Sequence, residues 1–263
     1  MKLHILSDLH LEHAPFTAPH TDADVVVLAG DIAVGTGAIT WAAETFPGRH
    51  VVYVPGNHEA YGFEISEWRA ALEQARATAP LVHVLAPGGL TFSRPGEQPV
   101  RVLGATLWTD FAVFAKSRAS QHARLVEQCL ADYRAIRVGE RRLTWQDTLA
   151  WHEQELAWLS EECRAARARG EKVVVVTHHG PSLRSSHAKY RSDPVTAGFV
   201  SNLEEFAAQN VDLWTHGHVH SSASYHLGDC RVVVNPRGYP MQRFSTHTTF
   251  ENPGFVHALV VEV

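Results

Sequence analysis

Five short runs of strand-forming residues each stop at Asp, Asn or His, and this repetition constrains the chain more than any other feature. Lys2–Ser7 (KLHILS) leads into Asp8-Leu-His10, and Asp24–Ala29 (DVVVLA) into Gly30-Asp31. Val51–Val54 leads into Pro55-Gly-Asn-His-Glu59, Lys172–Val176 into Thr177-His-His-Gly-Pro181, and Val211–Thr215 into His216-Gly-His-Val-His220. β-Branched and aromatic residues suit a pleated surface, and Pro and Gly interrupt it. Uninterrupted apolar runs belong to strands covered on both faces, as in α/β sheets. In such sheets ligands bind beyond the carboxyl ends of the strands.

Between these runs the chain reads as helices and minor strands. Helices are expected over Gly35–Phe46 and over Phe63–Thr78, where Phe63, Trp68, Leu72 and Ala75 recur at helical spacing before Pro80. Short strands are expected at Leu81–Leu85, Leu90–Phe92, Pro99–Leu103 and Cys230–Val234, with a last alternating strand over Phe255–Val263. Thr144 with Asp147, and Ser201 with Glu204, have capping-box spacing and should open helices running to Gly170 and Gln209. Phe111–Arg142 has weaker periodicity and reads as a helical or irregular insertion, part of a helical stretch near 111–170. A lid, a packing element and a dimerisation element all remain open for it. With no repeat, low-complexity segment or convincing linker, residues 1–263 are expected to form a single domain.

Composition narrows the function. A net charge of −5 without a Lys/Arg-rich block argues against long polyanions such as duplex DNA, whose binding rests on phosphate neutralisation. The three cysteines, Cys129, Cys163 and Cys230, are widely spaced and form neither a disulfide framework nor a thiolate metal site, which fits a reducing, cytoplasmic setting. No apolar stretch approaches the ~18 residues of a membrane span, and the N-terminus lacks a signal-peptide pattern.

The unusual count is 18 histidines. One Asp-x-His or one histidine after a strand is commonplace. Five oxygen and imidazole donor sets after five strands are not, and such donors suit borderline ions such as Mn, Fe, Zn or Co. Asp8 and His10, two apart in an extended segment, would face the same side and reach one ion. His218 and His220 follow Gly217 and can diverge toward different ions.

The order D-x-H, G-D, G-N-H-[DE], H, G-H-x-H, present as Asp8-Leu-His10, Gly30-Asp31, Gly56-Asn-His-Glu59, His178 and Gly217-His-Val-His220, resembles that of the calcineurin-like metallophosphoesterases. The motifs extend from residue 8 to residue 220. The resemblance implies an α/β fold, a four-layer αββα sandwich of two mixed sheets, and a two-metal centre of divalent or trivalent Mn, Fe or Zn. Asp8, His10, Asp31 and His220 would hold one ion. Asp31, Asn57, His178 and His218 would hold the other, with Asp31 bridging. His178, nearest the strand end, is favoured over His179, which an anchor on His-Gly-Pro would select.

His58 would bind no metal and would act as proton donor. The implied reaction is hydrolysis of a small phosphomonoester or phosphodiester by a metal-activated water. Glu59 is open between a support for a histidine and a solvated loop carboxylate. Tyr61, Trp108, Asp110, Arg237 and Tyr239 are candidate substrate contacts, or else the aromatics cover a sheet edge and Arg237 is surface. Relatives that hydrolyse lipid precursors usually carry arginine where this chain has His58. The competing class is an interaction scaffold that kept the fold without the chemistry; such proteins typically lack the counterpart of His58 or several ligands.

Overall fold

A computed structural model of the chain describes residues 1–241 and 249–263. Two mixed sheets stack face to face. The first has the order β13-β1-β2-β3-β4, from Val260–Glu262, Lys2–Leu6, Val25–Ala29, His50–Val54 and Val82–Val84. Strands β1 to β4 run parallel and β13 closes the edge antiparallel. The second has the order β11-β12-β10-β9-β6-β5, from Ala223–Leu227, Cys230–Val234, Leu213–His216, Lys172–Thr177, Val100–Ala105 and Gly88–Phe92. Its four inner strands are parallel and its two edge strands antiparallel.

Alternation along the strands explains the uninterrupted apolar runs. Val25 and Val27 point into the core between the sheets with Val52, Val54, Val102, Val174 and Val176. Val26 and Leu28, on the other face, pack under α1 (Gly37–Thr45) and α2 (Ile65–Arg76). The second sheet turns Leu103, Val175 and Trp214 outward against α5 (Trp145–Ala168) and α6 (Glu204–Asn210). Three apolar layers between four structural layers give the expected αββα sandwich.

Helix α5 opens with the Thr144–Asp147 capping box, and its buried stripe Thr148, His152, Glu155, Leu159, Cys163, Ala166 lies along one face. It belongs to the outer layer of the sandwich. The segment before it carries α3 (Ala119–Cys129), α4 (Asp132–Ala135) and a small hairpin, β7 (Arg137–Val138) with β8 (Arg141–Arg142). Phe111, Val126, Tyr133 and Ile136 from this segment join the core beneath the first sheet.

Two local expectations fail for identifiable reasons. Ser201 caps no helix, because its hydroxyl accepts the Asp110 N–H, and the Glu204 carboxylate accepts from Ser182 instead. The final strand shrinks to Val260–Glu262, and the Asn235 side chain holds the preceding backbone at Val256.

Candidate metal centre

The parallel strands of both sheets deliver their carboxyl ends to one region. Asp8, His10, Asp31, His218 and His220 all have left-handed backbone, with φ of 51°, 43°, 53°, 67° and 44°. Non-glycine residues hold that conformation only when their surroundings demand it, and such strain gathers at functional sites. The Asp8–His10 pair therefore converges differently from a strand's alternation. β1 ends at Leu6, and two left-handed residues in the loop turn both side chains inward.

Asp8, His10 and His220 form one group whose donor atoms all lie within 4.8 Å of one another; Asp31, His178 and His218 form a second. His218 and His220 thus separate between two groups. Asp31 Oδ2 lies 3.3 Å from His178 Nε2 and 3.9 Å from His10 Nε2, so one oxygen faces both groups. Asn57 Oδ1 sits 2.9 Å from the same His178 nitrogen. The His178 Nδ1 hydrogen points to the Ala29 carbonyl at 3.0 Å, so Nε2 is the ring nitrogen that faces the two oxygens.

His179 is turned elsewhere. Its Nδ1 faces the Thr106 carbonyl at 3.2 Å and its ring packs on Trp108, while burial and the neighbouring His178 push its pKa down to about 3. Close packing fixes His178: a Cβ on Gly30 would fall 2.2 Å from its Nδ1, and one on Gly56 2.2 Å from Asp31 Oδ1. Those glycines are what let the two loops touch.

The donor set fits cations. Asp8 Oδ2 and His218 Nε2 are buried with no hydrogen-bond partner among the described residues. His10 Nε2 and His220 Nε2 confront one another at 3.2 Å. Burial would lower the pKa of His220, yet Asp8 and Glu251 outweigh it and raise it to about 10; Asp31 does the same for His178, to about 9. The carboxylates thus draw positive charge to His178 and His220, while burial and the neighbouring His179 push the His218 pKa well down and leave it a neutral donor. Borderline ions match its imidazole and carboxylate atoms.

His58 stands at the rim. Its Nε2 lies 2.7 Å from the Tyr239 hydroxyl and 3.9 Å from Asp31 Oδ2, and its ring stacks on Tyr61. It also completes a third donor group with His10 and Asp31.

Glu59 is neither a histidine support nor a solvated carboxylate. Fully buried, it accepts the N–H groups of Asp31, Ile32 and Gly56 and the Tyr53 hydroxyl, stapling the loops that carry Asp31 and Asn57. Burial and the Asp31 charge push its pKa up to about 7.

Arg237 is likewise no substrate contact or surface residue. It is buried, stacks on Phe250 and donates to the carbonyls of Leu9, Ala14 and Pro15, holding the loop that carries His10. Asp110 caps its own turn through Ala112 N–H. Three partners had no motif: Glu12 beside His10, Glu251 on His220 Nδ1, and Asp132, which accepts from both Asn57 and Tyr61. Each contacts its site residue through the fold, and only Glu12 is a sequence neighbour of its histidine.

A cavity of about 290 Å³ opens beside His218 and His220. Tyr190, Val195 and Phe199 form an apolar wall, with Asp193 and Glu251 at its edge. Among the described residues, no helix is long and apolar enough to cross a membrane.

The family model for calcineurin-like phosphoesterases matches residues 1–222. A phosphopantetheinyl hydrolase from Mycobacterium tuberculosis superposes with a TM-score of 0.66 at 18% identity, covering 97% of this chain and 98% of that one. A dimetal phosphatase from Danio rerio superposes with a TM-score of 0.50 at 15% identity, covering 89% and 86%. At such identities these likenesses speak for the fold alone. No curated protein matches the chain.

Proposed function

The chain belongs to the calcineurin-like phosphoesterase family, and we propose that it is a dinuclear metal-dependent phosphoesterase acting on a small phosphomonoester or phosphodiester. The observation that carries this reading is Asp31 Oδ2, which faces His178 on one side and His10 on the other, between two donor groups. Asp8, His10, Asp31 and His220 would hold one ion, and Asp31, Asn57, His178 and His218 the other. Two bound ions of the Mn, Fe or Zn kind would supply a water of lowered pKa and electrophilic stabilisation of the phosphoryl oxygens.

The chain's own residues supply the rest. His58, beside Asp31 at the rim, is placed to give a proton to the departing alkoxide. The Tyr239 hydroxyl and the Tyr61 ring hold its imidazole in place. The cavity walled by Tyr190 and Val195 seats the organic part of the ester, and its apolar side excludes water from that part.

The test is metal analysis of the purified protein together with turnover of aryl phosphate mono- and diesters. A phosphopantetheinyl ester joins the panel because of the fold likeness to that hydrolase. Two ions per chain, turnover of at least one ester class and its loss in Asp31→Ala are expected. Fewer than one ion per chain after growth with added metal would favour the scaffold reading instead.

A further inference from the structure

The amide of Asn57 can present either its oxygen or its NH₂ to the cluster, and the two faces have nearly the same shape. Only the oxygen can bind a cation. What selects it lies 75 residues away, in the segment between β6 and α5. Helix α4 begins with Asp132, 2% exposed, whose Oδ1 accepts from Asn57 Nδ2 at 2.7 Å and from the Tyr61 hydroxyl. Asn57 Nδ2 also donates to the Tyr61 oxygen at 3.2 Å. With the amide reversed, two oxygens would confront one another at that 2.7 Å separation, and an N–H group would point at His178.

We propose that Asp132 is the positioning residue that turns the Asn57 oxygen toward the metal centre. This rests on the reading of Asn57 as a metal ligand. The same carboxylate steadies the ring that packs on His58, because Tyr61 bonds Asp132 and stacks on His58 with ring centres 4.2 Å apart. The segment is tied to the Asn57–Glu64 stretch by backbone bonds as well. Gly62 N–H donates to the Ala135 carbonyl at 2.9 Å, and Arg137 N–H to the Phe63 carbonyl at 3.0 Å. A helix serving only to pack would gain nothing from a buried carboxylate, which costs free energy unless it is hydrogen-bonded. The segment is a clamp on one ligand.

Outer partners of metal ligands are typically worth about 10–100-fold in metal affinity. The experiment titrates metal-stripped protein with Mn²⁺ and counts ions at saturation, for the wild type and variants whose folding is confirmed by circular dichroism. Asp132→Leu, which keeps the bulk and loses the acceptor, is expected to bind one ion as the wild type does and the second about 10–100-fold more weakly. Asp132→Asn can turn its own NH₂ toward Asn57, so it fixes the amide less firmly than a carboxylate, and its second ion should bind more weakly than wild type but more tightly than in Asp132→Leu. Adding Asn57→Asp to Asp132→Leu should recover the second ion, because a carboxylate presents an oxygen whichever way it turns.

Should leucine distort the fold, Asp132→Ala removes the acceptor without bulk and gives the same readout. A folded Asp132→Leu or Asp132→Ala with two ions at wild-type affinity overturns the proposal, as does failure of Asn57→Asp to recover the second ion in Asp132→Leu. A wild type that binds no Mn²⁺ would instead overturn the metalloenzyme reading on which it stands.

Discussion

The Tyr239 hydroxyl lies 2.7 Å from Nε2 of His58, on the ring nitrogen that also faces the Asp31 carboxylate. Burial would lower the His58 pKa, but Asp31 and Glu12 outweigh it and raise it. The ring therefore holds its proton more firmly than a free imidazole, and Tyr239 fixes the direction of that nitrogen.

His58→Ala should keep both ions and lose turnover by about 10²–10⁴-fold, the usual worth of a general acid. Metal analysis and steady-state kinetics on one preparation decide it. An ion lost with the side chain would instead place His58 in the donor group it can form with His10 and Asp31. Tyr239→Phe removes only an orienting bond, so about a tenfold fall in kcat with unchanged metal content is expected.

Glu59 makes a prediction about stability. Its carboxylate serves three backbone N–H groups on two loops, and Glu59→Ala strands all three in a dry interior. Each unsatisfied buried group costs about 1–3 kcal/mol, so a loss of about 3 kcal/mol or more is expected in urea unfolding of the metal-stripped protein. A loss below about 1 kcal/mol would mean the loops find other partners.

What could be read from the chain follows the range over which each signal acts. The buried strands were legible because valine runs such as DVVVLA require cover on both faces, the four-layer sandwich followed only from the family resemblance of the motifs, and the donors were legible because they follow those runs directly. Glu59 stood out in its motif but its role gave no signal, since accepting backbone N–H groups needs no partner residue at a fixed spacing. Asp132 was invisible for a related reason: its partners Asn57 and Tyr61 lie more than 70 residues away, and its own surroundings read only as a helical or irregular insertion. Arg237 misled because arginine near a candidate phosphate site invites one reading, while here the carbonyls of Leu9, Ala14 and Pro15, on either side of His10, take its hydrogen bonds. The left-handed backbone at Asp8 and His10 carries no glycine to announce it.

The cavity beside His218 predicts a split in kinetic constants. Tyr190 lines it without belonging to any of the donor groups. Tyr190→Ala should raise KM several-fold for esters with a bulky organic group, leave kcat nearly unchanged, and spare a small ester. Kinetics on two esters differing only in that group give the comparison; an equal effect on both would remove the organic part from the cavity.

The last prediction concerns pH and stability away from the donor cluster. Glu155, on the buried face of α5, accepts the Leu107 N–H at 2.6 Å, and burial pushes its pKa up to about 7 from an ordinary 4.5. An acid whose pKa is raised by folding stabilises the fold while it is protonated. That contribution is complete below about pH 4.5 and is lost as pH rises through 7, to a limit on the order of 3 kcal/mol. Glu155→Gln keeps an oxygen for Leu107 and cannot ionise. In metal-stripped protein the wild-type Tm should fall relative to the variant between pH 5 and pH 8 by several degrees, with the variant the more stable at pH 8. Parallel Tm profiles across that range would show that Glu155 is already ionised in the fold at neutral pH, its charge carried by the Leu107 N–H and by Arg69.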